Sequence, residues 1–343
     1  HHLAQSVRDT RALGASAVML DVNTGEVLAM TNVPDFNPNN RSDMTPEHFR
    51  NRSVTDVFEP GSTVKPFTMS MALASGRFSV ETPVSTSPGI HYIGRDPVRD
   101  IHDYGDLTLG GVLVKSSNVG TAKVAMELAP EELYGILAKV GFGQATGIEL
   151  PGEVDGSLLK RERWRPIEHA TLSFGYGLSS TPVQLARAYA VLASGGVLRP
   201  VTLKRQVGKV PGKQVLSGET AHQINALLEQ VVSADGTAQR AAVPAYRVAG
   251  KTGTVHKVSP TGGYEADRYQ SLFVGFAPVS APRFVLAVMV DEPRGKYFGG
   301  EVAAPVFARI MADALRMHGI RPDADLDSGV TVVASMSPGE NGA

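Results

Sequence analysis

The sequence contains no cysteine. Disulfides, cysteine-ligated zinc and thiol nucleophiles are thereby excluded, and a cysteine-free chain suits an exported protein. Beyond His1-His2 the histidines are scattered singly, with no H-x-x-x-H or H-E-x-x-H spacing, so no metal site is expected. No apolar run approaches the roughly 18 residues that span a bilayer. The opening residues do not read as a signal peptide, and no internal repeat is read along the chain. Charge of either sign is not in excess: 33 basic against 34 acidic side chains leave a net charge of -1. Nucleic acid and a generic anionic membrane are therefore not indicated as partners.

What remains is an ordinary globular composition. With 343 residues, 42% of them hydrophobic and 20% charged, the chain can bury a sizeable core as one large domain or two small ones. His1-His2 looks like the remnant of a purification tag and is set aside. The chain opens straight into an apparent helix without an initiator Met, as an excised domain would.

Residues 3–13 form a short amphipathic pattern. "SAVMLDVNTGEVLAMTN" reads as two strands around Asn23-Thr24-Gly25. Residues 32–60 read as loop with a short helix. Ser62 to Ser75 reads as a helix ending at Gly76. Helical patterns then dominate to about residue 240. "YRVAGKTGTVHKV", "YQSLFVGFAPVS" and "RFVLAVMVDEP" are β-rich and predict antiparallel strands. "EVAAPVFARIMADALRMHG" is a closing amphipathic helix. The first hairpin is too small to stand alone. Pairing it with the late strands predicts an α/β fold: an antiparallel sheet flanked by helices, with a large helical insertion. The expected division is a sheet part from 3–60 and 241–320, a mostly helical part from 61–240, and a flexible tail at 321–343. A cleft between the two parts is the natural site. The stretches 79–105 and 255–268 carry Gly, Pro and Tyr and are open to reading as closing or mobile loops.

Ser62 and Lys65, in "VFEPGSTVKPF", stand one helical turn apart on one face. The lysine can share a hydrogen bond with the serine and take its proton once its pKa is lowered by desolvation or nearby positive charge. The helix N-terminus offers free N–H groups to an oxyanion. Pro66 cannot donate to Ser62 O, so Ser62 is expected at the strained start of the helix, not inside it. Alone the pair is weak: roughly one S-x-x-K arises by chance in such a chain, and Ser is a common N-cap. Two further motifs follow. Ser116 and Asn118 make S-x-N in "VLVKSSNVGTAK", which alone could simply mark a turn. Lys251-Thr252-Gly253-Thr254 lies in a β-rich run, where Gly marks a close backbone approach, a bulge or tight packing.

In order, these three motifs resemble the signature of penicillin-binding proteins and serine β-lactamases. "EPGSTVKPF", "LTLGGVLVKSSNVG", "SFGYGLSSTPVQLARAYA", "KTGTVHKV" and "YFGGEVAAPVFARIM" extend the resemblance over residues 15–318. They are similar to the class B, division-specific peptidoglycan D,D-transpeptidases of Gram-negative bacteria, the penicillin-binding protein 3 type. That resemblance implies a transpeptidase domain of periplasmic location. The full-length protein is then expected to carry an inner-membrane anchor and a non-catalytic pedestal, both absent from this chain.

The resemblance also implies roles. Ser62 is the acylated nucleophile and Lys65 its general base. Ser116 relays a proton to the leaving amine, and Asn118 holds the peptide carbonyl. Lys251 adds positive potential and helps keep Lys65 neutral. Thr252 and Thr254 bind the substrate's terminal carboxylate. The N–H groups of Ser62 and Thr254 form the oxyanion hole. Gly253 avoids crowding a substrate that lies along the strand edge. Tyr176, Tyr297 and Phe298 resemble cleft-lining aromatics, with core or loop packing as the alternative. Glu59 orders the site's entrance. The implied partners are D-Ala-D-Ala stem peptides, an amine acceptor and β-lactams, with a lipid II glycosyltransferase and division proteins for the full-length protein. No cofactor is implied.

Two rival readings carry weight. The same chemistry with water as acceptor gives a β-lactamase or D,D-carboxypeptidase. Class A β-lactamases use a downstream E-x-x-L-N glutamate, whereas "EHFRN" (Glu47 to Asn51) lies upstream and lacks the Leu, and the second motif here is S-S-N. A non-catalytic β-lactam sensor could keep Ser62 and Lys65 without peptide turnover. A Ser-His-Asp hydrolase is disfavoured, because there is no G-x-S-x-G elbow.

Overall fold

The computed structural model describes residues 1–40, 45–159, 164–259 and 262–324. Helix α1 (His2–Thr10) leads into β1 (Gly14–Asp21) and β2 (Val27–Val33). Asp21 Oδ1 closes the hairpin turn by accepting from Asn23 N at 2.8 Å. Next come α2 (Arg52–Thr55) and α3 (Lys65–Ala74). Two miniature sheets follow: β3 (Pro83–Ser85) pairs with β6 (Asp106–Thr108), and β4 (Ile90–Ile93) with β5 (Asp96–Arg99). The helices α4 (Leu109–Lys115), α5 (Asn118–Met126), α6 (Pro130–Lys139), α7 (Pro166–Ser173) and α8 (Pro182–Ala193) come next. The short pair β7 (Val197–Leu198) and β8 (Lys213–Gln214) precedes α9 (Gly218–Val232). The chain then returns to the sheet as β9 (Ala249–Val258), β10 (Tyr264–Ala277) and β11 (Phe284–Asp291), and closes with α10 (Gly299–Met317).

The main sheet is antiparallel throughout, in the order β2-β1-β11-β10-β9. Its central strands are buried on both faces, so their sequences are apolar at almost every position. Ala15, Ala17 and Met19 face one core with α1 and α10, where Phe284, Leu286 and Val288 of β11 join them. Val18 and Leu20 face the other core, against α3, α8 and α9. The expected union of an N-terminal hairpin with late strands is thus met by β1 pairing with β11, from Gly14 opposite Asp291 to Asp21 opposite Phe284.

Three local expectations differ. Among the described residues the span 61–240 holds six short strands as well as helices; runs of two to four residues show no periodicity by which to expect them. Short strands β3, β4 and β5 lie within 79–105, and β9 and β10 run into 255–268; residues 260–261 lie outside the described residues. His2, set aside with the tag, opens α1, and its Nε2 lies 2.8 Å from Asp313 Oδ2. At the other end, 325–343 of the expected tail lie outside the described residues. Its first residues are docked, since Asp323 accepts from Arg247 N at 2.7 Å and Ser280 N at 3.0 Å. No helix among the described residues is long and apolar enough to cross a membrane.

Candidate active site

Pro60 and Gly61 aim the first motif. Gly61 takes φ +51°, a region that L side chains rarely adopt, and a Cβ there would meet Val255 Cγ1 of β9. The backbone then makes one 3₁₀ turn, Gly61–Val64, before α3 begins at Lys65. Ser62 therefore stands ahead of the regular helix. Pro66 falls in the first turn of α3, where a missing N–H goes unused. The buried Tyr189 of α8 pins the turn through its hydroxyl, which donates to Thr63 O at 2.8 Å. Helix α3 is buried from Lys65 to Ala72, so Lys65 sits on a packed core element directly behind the Ser62 turn.

Lys65 is fully buried. Its Nζ donates to Ser116 O at 2.5 Å and Asn118 Oδ1 at 2.7 Å, with Ser116 Oγ at 3.3 Å. Burial holds the amine well below the usual lysine range; Lys251 adds to the effect and Asp100 opposes it. A neutral amine has two N–H bonds, and the two short contacts use both. Its lone pair is left to accept a hydroxyl proton. The expected hydrogen bond between Ser62 Oγ and Lys65 is absent: Ser62 Oγ has no partner among the described residues, because the lysine is turned toward the second motif.

Ser116 and Asn118 flank a break between α4 and α5. Ser116 caps α4 in the left-handed region, φ 62°, which points its hydroxyl back toward the amines. Lys251 Nζ donates to that hydroxyl at 2.9 Å. Lys251 is itself fully buried, and burial pushes it down to about 7. One serine hydroxyl thus lies between two amines of lowered proton affinity, a geometry suited to passing a proton.

The third motif lies on β9, an edge strand. Lys251, Gly253 and Val255 face α3 and its leading turn; Thr252, Thr254 and His256 alternate with them. Thr252 Oγ1 lies 3.1 Å from Thr237 Oγ1, and Thr254 Oγ1 accepts from Gly299 N at 2.9 Å. Gly253 meets the tight-packing alternative. A Cβ there would meet Thr63 Cγ2 at 3.0 Å and Leu272 at 3.1 Å, so the glycine lets the Ser62 turn pack against the strand. Gly253→Ala is expected to lose about 1–3 kcal/mol by overpacking and to slow any reaction of Ser62 by displacing its turn. Unfolding in urea reads the first effect, and unchanged stability would contradict this packing account.

A cleft of about 830 Å³ joins the motifs. Ser62, Ser116, Asn118, Thr252, Thr254, Tyr176, Tyr297 and Phe298 line it. Lys65 and Lys251 lie behind this surface, and Gly253 beneath it. Glu59 stands to one side, accepting from Gly177 N at 2.8 Å and Tyr264 OH at 3.0 Å. It ties the Ser62 segment to the loop holding Tyr176 and to the β9–β10 hairpin. Burial raises the pKa of Glu59 and pushes Tyr176 up to about 12, with Glu59 adding to the latter.

Other lining residues were not anticipated: Asp100, Tyr104, His256 and Tyr269. His256 and Tyr269 were within reach of sequence reasoning. Extending the alternation of Thr252 and Thr254 by one step gives His256, and Tyr269 is its cross-strand neighbour. Tyr269 stacks on Tyr297 with ring centroids 4.1 Å apart. Asp100 had no local signal, since its partners lie on α5.

The chain was also compared with known proteins. The model of the penicillin binding protein transpeptidase domain matches residues 15–312. Peptidoglycan D,D-transpeptidase FtsI of Escherichia coli K12 is 45% identical over 323 residues, covering 94% of this chain and 54% of that protein. Probable peptidoglycan D,D-transpeptidase PenA of Neisseria meningitidis serogroup A is 40% identical over 334 residues, 97% of this chain and 57% of that protein. Among solved structures, the apo transpeptidase domain of Burkholderia pseudomallei penicillin-binding protein 3 superposes with a TM-score of 0.86 at 43% identity, covering 94% of each chain. The chain spans about half the length of the curated relatives it matches. Similarity of this extent, over a cleft that unites the three motifs, makes the chain a member of the penicillin binding protein transpeptidase domain family.

Proposed function

We propose that this chain is the catalytic domain of a serine D,D-transpeptidase that cross-links peptidoglycan stem peptides, in septal wall synthesis, and is acylated by β-lactams. The observation that carries the reading is the fully buried Lys65 amine, bound to the S-S-N segment one turn from Ser62. In the first step Ser62 Oγ bonds to the carbonyl carbon between the two terminal D-alanines as its proton passes to Lys65. The C–N bond then breaks, and Ser116 delivers a proton to the departing D-alanine amine while taking one from protonated Lys65, which lies 3.3 Å from its hydroxyl. In the second step an amine of a neighbouring stem peptide attacks the ester and gives up a proton to Lys65, and Ser62 Oγ leaves with that proton. The N–H groups of Ser62 and Thr254 hold the oxyanion. Thr252 and Thr254 hold the terminal carboxylate within the field of Lys251. Asn118 has one Nδ2 hydrogen bond to Arg99 O at 3.0 Å and a second N–H for the peptide carbonyl. Tyr176, Tyr297 and Phe298 shape the cleft, and Glu59 positions its entrance.

The names of the relatives support peptidoglycan as substrate. The same reading places the domain in the periplasm, on a full-length protein anchored in the inner membrane and working with a lipid II glycosyltransferase and other division proteins. Water as the acceptor is the second reading. It needs a base near the ester, and the carboxylates lining the cleft are occupied: Asp100 binds α5 and Glu301 pairs with Lys296 at 3.1 Å. The β-lactam adduct is therefore expected to outlast a β-lactamase turnover by orders of magnitude. Time-resolved intact mass checks this, and rapid loss of the adduct would favour the hydrolase. The positive test supplies a D-Ala-D-Ala stem peptide with an amine acceptor. Cross-linked product that grows with acceptor concentration is expected, whereas D-alanine release without cross-linked product would remove the transferase assignment.

A further inference from the structure

We infer that Asp100 and the Arg99 carbonyl form a clamp that orients Asn118, and through it Lys65, making Asp100 a positioning residue for acylation of Ser62. This rests on the transpeptidase reading above. Asp100 follows β5, which packs on α5 through the buried Val98, in a cluster with Val119 and Ala122. Its carboxylate meets the N-terminus of α5 with three contacts. Oδ1 accepts from Asn118 N at 2.5 Å and Val119 N at 3.1 Å, and Oδ2 accepts from Ser117 Oγ at 2.5 Å. Ser117 Oγ in turn accepts from Gly120 N at 2.8 Å. The first-turn donors that a helix leaves unsatisfied are thus taken by one side chain and the serine it holds.

The consequence for chemistry lies in the Asn118 amide. Its two ends differ, one a donor and the other an acceptor. Arg99 O accepts from Nδ2 at 3.0 Å, so the amide cannot turn over without setting two carbonyl oxygens against each other. Oδ1 is thereby left toward Lys65 Nζ, at 2.7 Å. A flipped amide would turn Nδ2 toward Lys65 Nζ and, with the lysine neutral, occupy the lone pair that has to take the Ser62 proton. When the lysine is neutral, the clamp decides where one of its N–H bonds points, and so where its lone pair points. The charged groups acting on Lys65 Nζ are Lys251 on β9 and Asp100 itself. The carboxylate draws the lysine pKa upward, against burial and Lys251.

Two variants separate placement from charge. Asp100→Ala removes the acceptor; Asp100→Asn keeps an acceptor for the α5 backbone and removes the charge. Acylation by a chromogenic cephalosporin is followed across pH for both, with thermal melting alongside. Asp100→Ala is expected to acylate 10–100-fold more slowly at saturating drug, with drug binding before acylation little changed. Asp100→Asn is expected to keep a maximal rate within about fivefold of wild type. The sign of its pH effect follows from linkage. Loss of the negative charge lowers the Lys65 pKa further, so more of the lysine is neutral at a given pH and the rising limb moves to lower pH. Wild-type acylation by a folded Asp100→Ala, or an unmoved limb in Asp100→Asn, overturns the inference. Should Asp100→Ala not fold, the limb of Asp100→Asn decides alone. A wild-type protein never acylated at Ser62 would instead remove the functional reading.

Discussion

Mixed with excess β-lactam, the protein is expected to gain the mass of one ring-opened drug molecule, and Ser62→Ala to gain none. The contrast should be complete, because the acyl group has no other hydroxyl placed as Ser62 is. Ser116 shares the cleft, but its Oγ is bound by Lys251 and lies 3.3 Å from Lys65 Nζ, engaged with both amines. The substitution is also clean. Ser62 Oγ has no hydrogen-bond partner among the described residues, so its loss should change stability by no more than about 0.5 kcal/mol. Intact-mass spectra read the adduct, and peptide mapping of the wild type places it. A drug adduct on Ser62→Ala would displace the nucleophile assignment.

Lys65→Met is expected to give the second largest effect. Methionine keeps the length and apolar bulk of the side chain but has no proton to exchange. Losing a general base lowers acylation by about 10²–10⁴-fold. Stability should move far less. Ser116 O and Asn118 Oδ1 each lose a donor, at about 1–3 kcal/mol apiece. Against this, a buried ionisable group is replaced by an apolar one, often neutral or stabilising. The net change is expected within about 2 kcal/mol, so a slow variant will still be a folded one. Stopped-flow acylation beside a urea melt measures both, and acylation within tenfold of wild type would show that Lys65 is not the base.

The long elements were legible because burial writes a strong pattern. β1 and β11 alternate between two cores, and the Asn23-Thr24-Gly25 turn falls between β1 and β2 as read. The three motifs were legible because each sits on an element whose local sequence announces it: Pro66 at the start of α3, Ser117 as the N-cap of α5, K-T-G-T within β9. What was not legible depends on partners far along the chain. Gly253 is set by Thr63 and Leu272, and Asp100 by Asn118 and Ser117. Neither partner is marked by spacing. The miniature sheets between 83 and 108 are too short for alternation to rise above chance.

The pairing of β1 with β11 also sets an order of events during synthesis. The first hairpin leaves the ribosome well before the strand that covers its inner edge, which ends at Asp291. At about 5–20 residues per second the hairpin waits roughly 15–50 s for that neighbour. Until then its apolar faces and an unpaired edge are open to other chains. K-T-G-T arrives in the same late segment, so a nascent chain cannot assemble the cleft before its sheet is nearly closed. Covalent capture by a β-lactam would therefore report completed folding, and chains stopped short of β9 should carry Ser62 and Lys65 without reacting.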